Sequence, residues 1–236
     1  MHAFPPTRHS VIERLRAPGD GERREAFGEL VLGYWKPVYK HLRLTWGLPD
    51  EDARDLTQAF FSEAFQKEWL ARYDPSQARF RTFVRVCADR FVQHWRESAS
   101  RQKRGGGAVV LPLDFDAAER EVRLLEPSVP AEVDGFFRQE FVRALFERAV
   151  ASVRGEYTGR DVHLAVFERY DLDPAEGVSY ATIAAELGLT TAQVTNYLAQ
   201  VRRSFRQHAL TALEGLTGSR EEYRREAREL FGVEVE

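Results

Sequence analysis

ARFRTFVRVCADRFVQHWRESASRQKR, residues 78–104, joins a helical apolar stripe to a dense positive charge. At about 100° per residue, Phe80, Phe83, Val84, Cys87, Ala88, Phe91 and Trp95 fall on one arc of a helix, so that arc must face apolar surface. Arg79, Arg90 and Arg101 flank it on one side; Arg81, Arg85 and Arg96 flank it on the other. Eight Lys or Arg between Arg79 and Arg104 oppose Asp89 and Glu97, a net of +6 in a chain whose total is −3. Two readings compete. One is a core helix with a solvated arginine face. The other is a nucleic-acid surface, with guanidinium groups on phosphates and edge aromatics stacking on unpaired bases.

Outward from this segment the charge changes sign. Between Val110 and Gly135 the acids Asp114, Asp116, Glu119, Glu121, Glu126, Glu132 and Asp134 outweigh Arg120 and Arg123, so local fields rather than net charge select partners. Gly105-Gly106-Gly107 stops the basic helix and opens a segment carrying Pro112, Pro127 and Pro130. The composition shift predicts a helical domain over 1–104, an acidic linker over 105–133, a second helical domain over 134–215 and a C-terminal helical extension over 216–236. Upstream, the patterns predict a short helix near Ser10–Arg16 and a long one from Arg23 with a kink at Pro37. A third follows from Asp50, where Glu51, Asp52 and Asp55 favour the positive helix end. Nothing alternates like a strand, so the fold class is all-α.

The chain, at 236 residues, is long enough for a core in one or two domains. No apolar run approaches membrane-spanning length, and MHAFPPTRHS lacks a signal-peptide core, which together predict a cytoplasmic protein without a membrane partner. A lone cysteine, Cys87, forbids an internal disulfide and reads as a buried filler.

VSYATIAAELGLTTAQVTNYLAQVRRSFRQH, residues 178–208, predicts a helix-turn-helix. Ser179 caps a helix carrying Ile183, Ala184 and Leu187 inward, Gly188 supplies a left-handed stop, and Thr190 with Gln193 forms a capping box. Val194, Leu198, Val201 and Phe205 face the core. Thr191, Gln193, Thr195, Asn196, Gln200, Arg202, Arg203 and Arg206 face outward, as residue types that bond base edges and phosphates. A plain helical hairpin with a polar face is the competing reading.

Catalytic and metal chemistry are not expected. The six histidines form no H-E-x-x-H pattern, Asp171-x-Asp173 lacks the glycine and bidentate acid of a calcium loop, and Gly105–Gly107 lacks the G-K-[ST] of a phosphate loop. Glu221 and Glu222 read as solvated partners of arginines on their own C-terminal helix. No enzyme activity and no cofactor are expected.

Taken in order, Glu51-Asp52-Ala53-Arg54-Asp55-Leu56-Thr57-Gln58-Ala59-Phe60-Phe61, then Asp74-Pro75, Arg79-Phe80-Arg81-Thr82-Phe83 and Lys103-Arg104-Gly105-Gly106-Gly107, together with the segments from Tyr34 to Tyr39 and from Ser179, resemble RNA polymerase sigma factors of the sigma-70 family, extracytoplasmic-function type. The resemblance covers nearly the whole chain. It implies a region 2-like first domain and a region 4-like second domain. Asp52, Asp55, Gln58, Phe61 and Glu63 would meet the beta-prime clamp of core RNA polymerase, with the beta flap as a further contact. Asp74, Ser76, Gln77, Arg79, Arg81, Phe83, Arg85, Arg90, Trp95 and Arg96 would hold the melted −10 element, with a base flipped into the Tyr73–Ala78 loop. The outward helix-turn-helix residues would read the −35 element, and the acidic linker would suit a channel built for RNA.

Ala59 stands where relatives carry Glu, and Thr195 and Tyr197 where they carry basic residues, so the promoter sequence does not carry over. Phosphorylation of Thr57 by a Ser/Thr kinase would restore the missing charge, and an anti-sigma protein is a further implied partner. The alternative class is a free-standing dimeric helix-turn-helix regulator of promoter DNA.

Overall fold

In the computed structural model the residues described are 11–99, 112–124 and 133–235. Every regular element among them is helical, and there is no strand among them, so the all-α expectation holds. Among the described residues no helix is long and apolar enough to cross a membrane. The chain divides into two compact units, Met1–Ala144 with Leu213–Glu236, and Leu145–Ala212.

The first unit is built around α2 (Asp20–Leu44), which buries Phe27, Leu30, Tyr34, Val38 and Leu42 on one side and Trp35 and Tyr39 on another. Such wide burial requires neighbours on several faces, and α1 (Val11–Leu15), α3 (Asp50–Gln66) and α5 (Phe115–Leu124) provide them. α2 is helical on both sides of Pro37. Asp50, Glu51 and Asp52 open α3 as the helix dipole favours, and Leu56, Phe60, Phe61 and Ala64 are its buried face. Glu68 then turns the chain with φ +54°, an uncommon conformation for a residue with a side chain. Trp69 follows it, beside Phe60 at 6.1 Å.

α4 (Phe80–Ala99) occupies the quoted stretch, but its fully buried stripe is Phe80, Val84, Ala88 and Val92. Phe83, Cys87, Phe91 and Trp95 of the expected arc are only half-buried. Val92 was not expected there; it completes an i, i+4 ladder that the aromatic residues obscured.

The expected linker contains a docked helix. Phe115 of α5 sits edge-on to Trp35 and Tyr39, with ring centroids 5.3 Å apart in both pairs. The acids of α5 meet cations of the first unit: Glu119 with Arg43, Glu121 with Lys36 and Lys40, Asp116 with Arg54. These carboxylates are therefore not the open spacer that composition suggested. Glu126 and Glu132 lie outside the described residues.

Burial opposes ionisation of Glu121, yet hydrogen bonds from Lys40 and Lys36 hold its carboxyl below the usual range. Hydrogen bonding by Arg43 does the same for Glu119, with burial again opposing. A folded pKa below the unfolded one gives stability that is complete above the unfolded value and lost as pH falls through the folded value. α5 should therefore detach in acid, below about pH 4. An NMR titration of Phe115 and Val122 checks this; constant shifts down to global unfolding would contradict it.

α6 (Val133–Glu156) begins in the first unit, where Phe137 and Phe141 stack near Tyr34. α10 (Arg220–Phe231) also belongs to this unit, capped by the Ser219 side chain and closed by Gly232 at φ +63°. Just before it, the Leu216 carbonyl accepts from Tyr34 Oη at 2.9 Å, and the Leu216 side chain fills the space above Gly33. A methyl on Gly33 would overlap that side chain. Gly33→Ala should therefore destabilise the unit by about 1–3 kcal/mol despite alanine's better helix propensity, read as a lower urea midpoint.

The second unit holds the end of α6, α7 (Asp161–Phe167), a π turn at Glu168–Leu172, α8 (Tyr180–Leu187) and most of α9 (Thr191–Glu214). Val166, Ile183, Ala184, Val194 and Leu198 form one core cluster; Val153, Tyr157, Phe167 and Val201 form another.

Candidate nucleic-acid interface

In the second unit the caps on α8 and α9 are as the sequence predicts. The Ser179 hydroxyl accepts from Thr182 N–H while Thr182 Oγ1 accepts from Ser179 N–H, and Gly188 ends α8 at φ +66°. At α9, Thr190 Oγ1 accepts from Gln193 N–H at 3.2 Å, and Gln193 Oε1 accepts from Thr190 N–H at 2.8 Å. This reciprocal box takes up the amide oxygen of one expected base reader. Thr195 donates to the Thr191 carbonyl, and Arg202 forms a two-bond fork with Asp171 while lying over the Tyr170 ring. Those side chains are braced against their own unit. Thr191, Asn196, Gln200, Arg203 and Arg206 are exposed on the same helix. His163 stacks on Tyr197 at 3.9 Å, placing an aromatic pair where charge was absent.

In the first unit the residues of the expected −10 surface divide into three groups. Asp74, Ser76 and Gln77 come together in one exposed turn, where Asp74 accepts from the Ser76 backbone and hydroxyl and from the Gln77 amide. Those bonds, with the Ser76 hydroxyl foremost, lower the Asp74 pKa.

Arg79 and Arg81 turn to α10 instead of solvent. Arg79 bonds Glu229 through two nitrogens and Glu226 through one, and Arg81, only 9% exposed, also bonds Glu226. Glu222 and Glu226 are buried, which corrects the expectation of a solvated helix carrying its own ion pairs. The physical reason is that α10 presents its carboxylates, not an apolar stripe alone, to an arginine-bearing helix. Arg85 pairs with Asp89 and Asp134, and Arg96 donates to the Trp46 carbonyl while its guanidinium stands 4.8 Å from the Trp46 ring centroid.

Of the three remaining members, Phe83 and Arg90, but not Trp95, line a groove of about 410 Å³ together with residues the sequence reading passed over. Its aromatic wall adds Trp69 and Phe91, whose centroids are 5.9 Å apart; its rim adds exposed Arg72 and His94. Cys87 also lines it, its thiol pushed by burial up to about 11, which leaves it a poor nucleophile at neutral pH. Phe91 was visible as part of the apolar arc. Trp69 and Arg72 were hidden because they stand at the N-cap and the last position of a one-turn 3-10 helix, Leu70–Arg72, which has no periodic signature. Trp95 stays half-buried on α4.

The α3 face carries exposed Asp55 and half-exposed Asp52, Gln58 and Glu63, the last paired with Lys67. Phe61, expected as an exposed anchor, is fully buried between Phe60 and Phe27, because it lies one position from the Phe60 stripe and α2 packs over both. An apolar groove of about 350 Å³ beside it is lined by Phe27, Val31, Leu32 and Phe65, and Leu32 is 57% exposed. Thr57 is fully buried with its hydroxyl donating to the Ala53 carbonyl at 2.7 Å, so a kinase could not reach it in this conformation. Among the described residues no cluster of three or more His, Cys, Asp or Glu is arranged to hold a metal ion.

The chain matches none of the family models, curated proteins or solved structures with which it was compared.

Proposed function

We propose that this chain is a promoter-recognition subunit of the sigma type, working in the cytoplasm without catalysis of its own. Its first unit would bind core RNA polymerase through the acidic face of α3 and hold unpaired −10 DNA; its second unit would contact the −35 element through α9. The observation that carries this reading is the α4 groove, where three aromatic side chains, Trp69, Phe83 and Phe91, stand with Arg72, Arg90 and His94, and where the one acid of the lining, Glu63, is paired with Lys67. Aromatic faces stack on any exposed base and the cations follow its phosphates, a combination suited to single strands more than to a duplex.

The helix-turn-helix adds a duplex-reading element with both helix starts capped. Its exposed polar residues supply hydrogen bonds, and Arg203 and Arg206 supply phosphate contacts.

Reconstitution with core RNA polymerase on a library of start sites tests the proposal. Expected are transcripts whose start sites depend on this chain. Transcripts no different from core enzyme alone, with symmetrical half-site protection by the free protein, would favour the dimeric regulator instead.

A further inference from the structure

α10 carries four glutamates and four arginines, and two of the glutamates face inward. Glu222 and Glu226 are buried against α4, whereas Arg224, Arg225 and Arg228 are exposed. The buried acids fill the two features that make the start of α4 attractive to anions. One is the helix N-terminus, where Phe80 N–H donates to Glu222 at 2.7 Å; Gly218 N–H and Tyr73 Oη hold the second oxygen at 2.9 and 3.1 Å. The other is the arginine pair. Arg79 grips Glu229 with two bonds of 2.7 Å, the fork that guanidinium also offers to phosphate. Arg79 and Arg81 then share one oxygen of Glu226, and the other oxygen is buried with no hydrogen-bond partner.

Such an arrangement is a poor way to gain stability. Two cations crowd one oxygen while the second carries its desolvation cost uncompensated. It is, however, a good stand-in for a nucleic-acid backbone, and the Arg79–Glu229 fork lies at the rim, where the side chains are 27% and 37% exposed.

We propose that α10 is an intramolecular competitor for the phosphate-binding face of α4: its carboxylates occupy Arg79 and Arg81, and single-stranded nucleic acid gains these arginines only when α10 is displaced. The inference rests on the nucleic-acid reading of the first unit and adds its regulation.

The test uses the full chain and its variant Glu226→Gln/Glu229→Gln, which keeps side-chain size and one accepting oxygen on each residue while removing both charges and the two-oxygen fork to Arg79. Binding of a labelled mixed-sequence 12-nucleotide DNA strand is followed by fluorescence anisotropy across a salt series. Two released arginines should steepen the log–log salt dependence by about 1.4 and tighten binding at low salt by about tenfold or more. Unchanged or weaker binding by a folded variant overturns the proposal. If the double variant melts early, Glu229→Gln alone, at the exposed rim, removes the fork but leaves Arg79 its bond to Glu226, so it should steepen the slope by up to about 0.7, and no change there overturns the proposal equally.

Both proteins are also assayed with core polymerase. Tighter strand binding by the variant with no polymerase-dependent transcripts from either protein sinks the promoter reading and leaves the α10 competition standing. Transcripts from both, with identical strand binding, do the reverse.

Discussion

Replacing Lys40 by alanine is expected to destabilise the first unit by about 3–5 kcal/mol. Lys40 is fully buried, and its ammonium lies 2.5 Å from Glu140 and 2.6 Å from Glu121. Glu121 keeps Lys36 at 2.9 Å if Lys40 is lost. Glu140 does not have that reserve: its side chain is 1% exposed, and Arg143, 3.3 Å from its second oxygen, stands outside hydrogen-bond geometry. Truncation therefore leaves a buried carboxylate without its main counter-charge, and the cost is that of the orphaned ion rather than of the pair. The double change Lys40→Met/Glu140→Leu should recover most of the loss, because it removes both charges and keeps the volume. Urea unfolding of the two variants decides the matter. A double variant no better than Lys40→Ala would mean that the pair holds the fold in some way other than mutual neutralisation.

The second large effect concerns function. Under the proposed role, Trp69→Ala should reduce promoter opening by about 5- to 150-fold, the equivalent of one lost base–aromatic stack of about 1–3 kcal/mol. Trp69 lines the α4 groove and touches both Phe60 and Phe91. Part of any loss could come from packing, so Trp69→Phe, which keeps an aromatic face, is the control and should retain most activity. Binding to core polymerase should be unchanged in both, since α3's exposed acids are untouched. Opening is measured by permanganate reactivity of unpaired thymines. Wild-type reactivity in Trp69→Ala would remove the groove from the mechanism.

The sequence was most legible where local rules act alone. Ser179, Gly188 and the Thr190–Gln193 box follow from capping chemistry within four residues, and all three stand as read. Helix periodicity placed α3, α4 and α9 because a buried face repeats along the chain itself. It misjudged α4 by one ladder: four large aromatic or sulfur-bearing side chains outweighed Val92 in the pattern, although the tighter contact belongs to small and branched residues. Phe61 was put on the outside by the resemblance and not by periodicity, and only the packing of α2 over it separates it from half-buried Phe65.

By itself, then, the order of residues determined that this protein is helical, where α8 ends and α8 and α9 are capped, and that its basic charge gathers on α4, but it did not show the helix α5 inside the acidic stretch. Which charges are free was decided only by tertiary structure. Arg79 and Arg81 are paired with acids about 145 positions further on, and the acids of α5 with cations up to 85 positions before them. A carboxylate has no periodic signature, and its partner is set by which faces the apolar core brings together. The three-dimensional packing alone turned an apparent open arginine surface into a covered one, and assembled a groove from Trp69, Arg72 and α4.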